Sequence, residues 1–180
     1  RLESDALAVR IVTIHKSKGL EYPVVFCPFA WEGATLRNDR KILFHDPAAR
    51  GRLTLDLGSD QRPLHTRLAQ HELLAENLRL LYVALTRAKR RCYLAWGRIN
   101  TAETSAPAYL LHCPEAAEAA DIVNTLKTQM SKKTDGELLS DLRWLAARSS
   151  AAIELDVLPK RPFCAYRPPP PQSQTLTCRE

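Results

Sequence analysis

The stretch Pro23-Val24-Val25-Phe26-Cys27-Pro28-Phe29 is apolar at every position. A strand with one face in water alternates apolar with polar residues, so an uninterrupted apolar run is that of a parallel strand covered on both faces. Upstream, residues 9–14 (Val-Arg-Ile-Val-Thr-Ile) alternate and are rich in β-branched side chains, which predicts another strand. The polar loop His15-Lys16-Ser17-Lys18-Gly19 separates the two. Between residues 66 and 89 the pattern is helical, with Leu74, Leu78, Leu81 and Leu85 recurring at spacings of four and three as one buried stripe. Residues 91–96 read as a further strand. From Trp31 to Pro63 the pattern is irregular, an insertion with short strand candidates at 41–44 and 53–57 between turn signals. The order strand, loop, strand, insertion, helix, strand is that of an α/β layer fold with a partial parallel sheet, too few strands for a complete doubly wound one.

Beyond Asn100 the chain turns helical. Pro114 suits a first helical position, Glu115 and Glu118 favour the positive end of the helix dipole, and Ala119, Ile122, Val123, Leu126 and Met130 trace one apolar face. Thr134-Asp135-Gly136-Glu137 has capping-box spacing and opens a second helix carrying Leu138, Leu142 and Leu145. The pair reads as a helical hairpin. From Pro159 a proline-rich tail containing four consecutive prolines, Pro168 to Pro171, reads as a stiff linker. The division is therefore 1–100 for the α/β part, 101–158 for a helical appendage and 159–180 for the linker.

Composition narrows the chemistry without choosing it. No apolar run approaches the ~20 residues of a membrane span, and a cytoplasmic location is expected. Cys27, Cys92, Cys113, Cys164 and Cys178 never form a C-x-x-C pair, so reduced thiols are expected rather than a disulfide framework or a metal site. A formal net charge of +6 fits a polyanionic partner and equally fits a solvated basic surface.

Two segments carry chemistry. The first is residues 11–26, where a strand end meets hydroxyls, two lysines and a glycine, offering backbone amides and fixed positive charge to a phosphate. Blandly read, Lys16 and Lys18 are solvated loop lysines and His15 is a structural hydrogen-bonder. The second is residues 76–89, Glu-Asn-Leu-Arg-Leu-Leu-Tyr-Val-Ala-Leu-Thr-Arg-Ala-Lys. As a helix it brings Arg79, Tyr82, Thr86 and Arg90 onto one face, with Arg87 projecting from the last turn. Complementing the helix dipole would alone account for Arg87, Lys89, Arg90 and Arg91.

These two segments resemble motifs V and VI of superfamily-one helicases of the UvrD and RecB type, T-x-H-x-x-K-G-L-E-[YF]-P-x-V followed after a variable insertion by R-L-x-Y-V-A-x-T-R-A. The Cys27-Pro28-Phe29 continuation, the insertion elements Phe44-His45-Asp46 and Leu55-Asp56-Leu57, the Ala108-Tyr109-Leu110-Leu111 segment and the hairpin before a proline-rich stretch resemble the RecB-type beta subunits of exodeoxyribonuclease V. The AddA-type helicase-nuclease subunits share both core motifs.

The resemblance implies a partial second RecA-like motor domain, with motif V at 11–26, the insertion at 31–65 and motif VI at 76–89. It implies that Arg87 reaches the ATP γ-phosphate, that Gly19 and Glu21 serve the nucleotide, Glu21 at its sugar, and that Thr13, His15 and Lys18 lie on the single-stranded DNA side. Arg79, Tyr82 and Thr86 would orient Arg87 or transmit cleft closure, a packing role being the alternative for Tyr82. The glycines open no G-x-x-x-x-G-K-[ST] loop and no Asp-Glu pair occurs, so ATP and Mg2+ belong to a complete enzyme with another motor domain, and the chain alone is expected to bind neither. The expected partners are DNA, as single strand and duplex end, that N-terminal motor domain, and further helicase-nuclease subunits. The expectation is a fragment of a longer protein, ending before any nuclease domain. Rival readings are a non-catalytic module binding DNA or a partner through the same fold, and a UvrD-type repair helicase without a nuclease.

Overall fold

A computed structural model describes residues 9–36, 41–112 and 121–158. Its centre is a parallel pair of strands, β1 (Tyr22–Cys27) and β4 (Ala88–Leu94), with Val25 beside Cys92 and Cys27 beside Leu94. Parallel neighbours need a long crossover. Here it contains an antiparallel hairpin, β2 (Ile42–Asp46) and β3 (Arg52–Asp56), followed by the 24-residue helix α1 (Arg62–Leu85). Helices α2 (Ala106–His112), α3 (Ile122–Lys132) and α4 (Asp135–Arg148) complete the order.

The leucine stripe behaves as its spacing requires: Leu74 and Leu81 are buried and Leu78 is half-buried against Val123 and Ala34. The hairpin turns one face to α1, where Ile42 and Phe44 pack on Ala69, and leaves Leu43, Leu53 and Leu55 exposed on the other. Its exit is fixed by Asp56, whose buried carboxylate accepts the N–H groups of Gly58 and Ser59 at 2.7 Å each and the Ser59 hydroxyl at 2.8 Å, and pairs with His65 Nδ1 at 2.6 Å. The Ser59 and Gly58 amides, with His65, hold this carboxyl well below the usual carboxylate range. His65 also stacks on Phe44, so one buried carboxylate ties the hairpin to the first turn of α1.

The expected strand at 9–14 is not formed. The segment is irregular up to a single 3-10 turn at His15–Ser17, and Val9 and Ile11 are 92% and 97% exposed. Alternation makes a strand only where a neighbour accepts its backbone groups, and the described sheet has two strands, β1 and β4. The helix expected to run to residue 89 stops at Leu85, so Arg90 lies in β4 and not on a helix face with Arg79 and Tyr82. The Val83 carbonyl, which a continuing helix would have paired with the Arg87 N–H, instead accepts from Arg87 Nε at 3.0 Å and shares the Thr86 hydroxyl proton, at 3.1 Å, with the Tyr82 carbonyl at 2.8 Å.

The helices after residue 100 gather around α2, where Ala108, Leu126, Met130 and Leu138 form one cluster. Thr134 and Glu137 form the expected capping box, and Leu142 and Leu145 are half-buried. The expected helix start at Pro114, with Glu115, Glu118 and Ala119, lies outside the described residues, as do the tail from Pro159 and Cys113, Cys164 and Cys178. Cys27 and Cys92 are free, half-buried thiols. Among the described residues no helix is long and apolar enough to cross a membrane.

Beyond the packing of Leu74 and Leu78 on Val123, polar contacts fasten these helices to the α/β part, two of them through buried groups. Gly33 N–H donates to Thr101 Oγ1 at 3.1 Å, and a Cβ at Gly33 would stand 2.3 Å from the Thr101 carbonyl oxygen. The second is a polar chain centred on buried His112: Trp96 Nε1 donates to His112 Nε2 at 3.0 Å, and His112 Nδ1 donates to Asp141 Oδ2 at 2.7 Å, with Lys133 also on the half-buried Asp141. An Nε2 that accepts must be unprotonated, and burial pushes His112 below its ordinary value of 6.5 despite the opposing pull of Asp141. Burial raises the Asp141 carboxyl, but Lys133 and His112 outweigh it and the net shift is downward.

Gly33→Ala is expected to destabilise the chain by about 1–3 kcal/mol, read as a lower urea midpoint, because its methyl meets backbone that cannot yield. The depressed His112 value means the unfolded chain takes up a proton before the folded one does, so stability is full above pH 6.5 and falls as pH drops through the folded value. Urea midpoints measured between pH 7.5 and 5 should decline, and the part owed to His112 should vanish in His112→Gln.

Candidate functional site

The two segments that carry chemistry meet where β1 and β4 begin. Tyr22 N–H donates to the Arg87 carbonyl at 2.9 Å, which brings the end of α1 against the loop before β1. That loop is self-supporting. Ser17 N–H bonds the Thr13 and Ile14 carbonyls at 3.1 Å each, the Ser17 hydroxyl donates to Ile14 O at 2.6 Å, and the Lys16 N–H reaches Thr13 Oγ1 at 3.4 Å. Ser17 is buried as its pivot, while Thr13, His15, Lys16 and Lys18 face solvent around it. Gly19 closes the turn with φ +81°, and nothing lies within 4 Å of where its Cβ would be. The backbone conformation therefore calls for glycine there, and a close approach within this chain does not.

Arg87 lies across this junction, half-buried. Its Nε donates to Val83 O at 3.0 Å, its Nη2 to Thr86 Oγ1 at 3.0 Å, and its Nη1 to Leu20 O at 3.1 Å. A guanidinium has five N–H donors, so two remain for an anion. The helix-end role and the reach toward residues 15–21 are thus both present in one side chain. Glu21 pairs with Lys89, Oε2 to Nζ at 2.8 Å, and the hydrogen bond and charge of Lys89, with Arg87 adding, hold this carboxyl below its ordinary value.

The expected residues divide accordingly. Arg87, Thr86, Gly19 and Glu21 converge at the junction, and Thr13, His15 and Lys18 form its exposed rim. Arg79 stands apart, its partner being Glu76 on the same helix at 3.1 Å. The Tyr82 side chain is 69% exposed and is no core residue; its carbonyl accepts from Thr86. Sequence reasoning missed Ser17 as pivot and Lys89 as the partner of Glu21. A small hydroxyl between two lysines was the only available sign of the first. Chemically the junction offers a fixed cation with donors to spare beside a carboxylate, a set suited to an anion that also carries hydroxyls. Among the described residues no group of three or more His, Cys, Asp or Glu side chains is placed to hold a metal ion.

The UvrD-like helicase C-terminal domain matches residues 1–98, a stretch that contains the whole junction. The chain belongs to this helicase family. The RecBCD enzyme subunit RecB of Escherichia coli (strain K12) is 50% identical over 94 residues, covering 52% of this chain and 8% of that protein. RecB of Mycolicibacterium smegmatis is 32% identical over 180 residues, 100% of this chain and 16% of that protein. An ATP-dependent helicase/nuclease subunit from Pelotomaculum thermopropionicum is 32% identical over 168 residues, covering 82% of this chain and 13% of that protein. The helicase segment thus spans less than a fifth of the curated relatives it matches.

Thr86 both ends the helix and receives Arg87, so Thr86→Val should lower stability by about 1 kcal/mol in urea denaturation, the net worth of a hydrogen bond of this kind.

Proposed function

We propose that this chain is the carboxyl-terminal part of the second RecA-like motor domain of a RecB-like, ATP-dependent DNA helicase-nuclease that processes broken duplex ends for recombinational repair. It would act within a longer cytoplasmic polypeptide and be inactive by itself. The observation carrying the reading is the Arg87 guanidinium, held on the Leu20 carbonyl with two donors uncommitted.

In this reading Arg87 supplies positive charge where negative charge grows on the γ-phosphate during phosphoryl transfer. Glu21 accepts from a hydroxyl of the nucleotide sugar, and Gly19 shapes the turn that presents it. Thr86 fixes the Arg87 fork, while Tyr82 and Arg79 lie further back along α1 as coupling residues. Thr13, His15 and Lys18 meet single-stranded DNA, His15 and Lys18 through exposed side chains on the loop that Ser17 anchors. ATP and its Mg2+ would be held chiefly by a separate N-terminal motor domain. Sharing one nucleotide between that domain and Arg87 makes each hydrolysis a release of the two domains, and so a step along the strand. Residues 1–100 form the motor part in this proposal, 101–158 a helical appendage and 159–180 a proline-rich linker.

The names of the relatives support a multi-subunit helicase-nuclease, and similarity both to RecB and to the Pelotomaculum helicase/nuclease protein keeps the AddA-type assembly as the second reading.

In the complete polypeptide, Arg87→Ala should lower ATP turnover and unwinding by roughly 10³-fold or more, while the affinity for a non-hydrolysable ATP analogue changes far less. Unwinding retained in that variant would remove Arg87 from this role.

A further inference from the structure

We infer that Lys89 is a positioning residue that fixes the Glu21 carboxylate for recognition of a nucleotide ribose, holding it at a set distance from Arg87. The inference rests on the reading of Glu21 as the sugar contact. Three observations lead to it.

The first is how Glu21 is held. The peptide groups on either side of it are both tied to Arg87: the Leu20 carbonyl accepts from the guanidinium, and the Tyr22 N–H donates to the Arg87 carbonyl. Lys89 adds a third tie, at the side chain. Main chain and carboxylate of residue 21 are therefore referenced to one short segment, 87–89.

The second is the strand register. Tyr22 aligns with Ala88 but Val24 aligns with Arg91, so β4 carries one more residue than β1 between those points. An extra residue in one strand re-aims the side chains beside it, and bulges are frequent next to active sites. Here the irregularity falls at Lys89 and Arg90, and Lys89 is the side chain that reaches Glu21.

The third is which atom is used. Lys89 takes Oε2, so Oε1 can accept a sugar hydroxyl while the pair stays intact. Both side chains are 58% exposed, and an exposed pair contributes little to folding. Stability gives no reason for a strand irregularity at this point, whereas orientation of a binding group does.

The test uses the complete helicase polypeptide and DNA-stimulated hydrolysis of ATP, 2′-deoxy-ATP and 3′-deoxy-ATP. The wild type should favour ATP over at least one deoxy analogue by roughly tenfold in kcat/KM, the scale of a hydrogen bond to a charged group. Glu21→Ala, which removes the acceptor, should lose most of that preference. Lys89→Met should lose most of it too, through a higher KM for ATP with kcat within about twofold, and Lys89→Arg should restore it by keeping the charge.

If Lys89→Met keeps the wild-type preference while Glu21→Ala abolishes it, the role of Lys89 is overturned and the sugar contact stands. A fall in kcat with unchanged preference also overturns it. A wild type without preference, or a Glu21→Ala protein that keeps it, sinks the sugar reading and the inference together.

Discussion

The structure depends on one seam, where residue 87 meets residues 20–22. Tyr22 N–H and the Arg87 carbonyl form the first bond between β1 and β4, and the guanidinium of the same arginine closes on the Leu20 carbonyl. Without the first bond the parallel pair has no fixed start, and without the second the loop before β1 has no fixed relation to the end of α1. A single residue thus links the helix cap at Thr86 to the strand that starts at Ala88 and holds the loop. The constraint is economical because each contact uses a group that a helix end leaves unsatisfied or an arginine has in surplus.

Much of this was legible in the chain. The leucine stripe placed α1, the capping signature placed α4, and the two long motifs placed Arg87, Gly19 and Glu21 in one neighbourhood; the apolar run at 23–29 placed β1 but not its expected cover on both faces, since Phe26 is 68% exposed in a described sheet of two strands. What was not legible has a common physical origin. Residues 9–14 have the composition of a strand, but strand formation is decided by a neighbour, and composition carries no record of one. Helix α1 ends four residues before its pattern suggests because Ala88 and Lys89 are good helix formers, while the side chains that stop the helix, Thr86 and Arg87, do so through bonds to Val83 and Leu20 that no propensity encodes. The Glu21–Lys89 pair spans 68 positions and emerges only once the strand register is known.

The apolar interior is distributed. Ile42, Phe44 and Ala69 form one cluster beneath the hairpin, Ala34, Leu74 and Val123 a second along α1, and Ala108, Leu126, Met130 and Leu138 a third around α2. Tyr109 packs against both of the last two, and directional contacts add to packing: the Asp56 cradle between hairpin and helix, the Gly33 approach to Thr101, and the Trp96–His112–Asp141 chain. Buried polar groups of this kind are costly when left unmatched, which gives the small clusters a definite mutual arrangement that apolar burial alone would leave loose.

The long helix has a mechanical consequence. At 24 residues α1 is ~36 Å from end to end. The Asp56 cradle grips its first turn and Arg87 sits just past its last, so the helix is a lever with the insertion at one arm and the cation at the other. By the same geometry, a tilt of about three degrees at the hairpin swings the far tip by roughly 2 Å, comparable to making or breaking a hydrogen bond. The hairpin and the guanidinium are therefore spaced by one continuous helix, gripped at its first turn by the Asp56 cradle and at its last by Arg87.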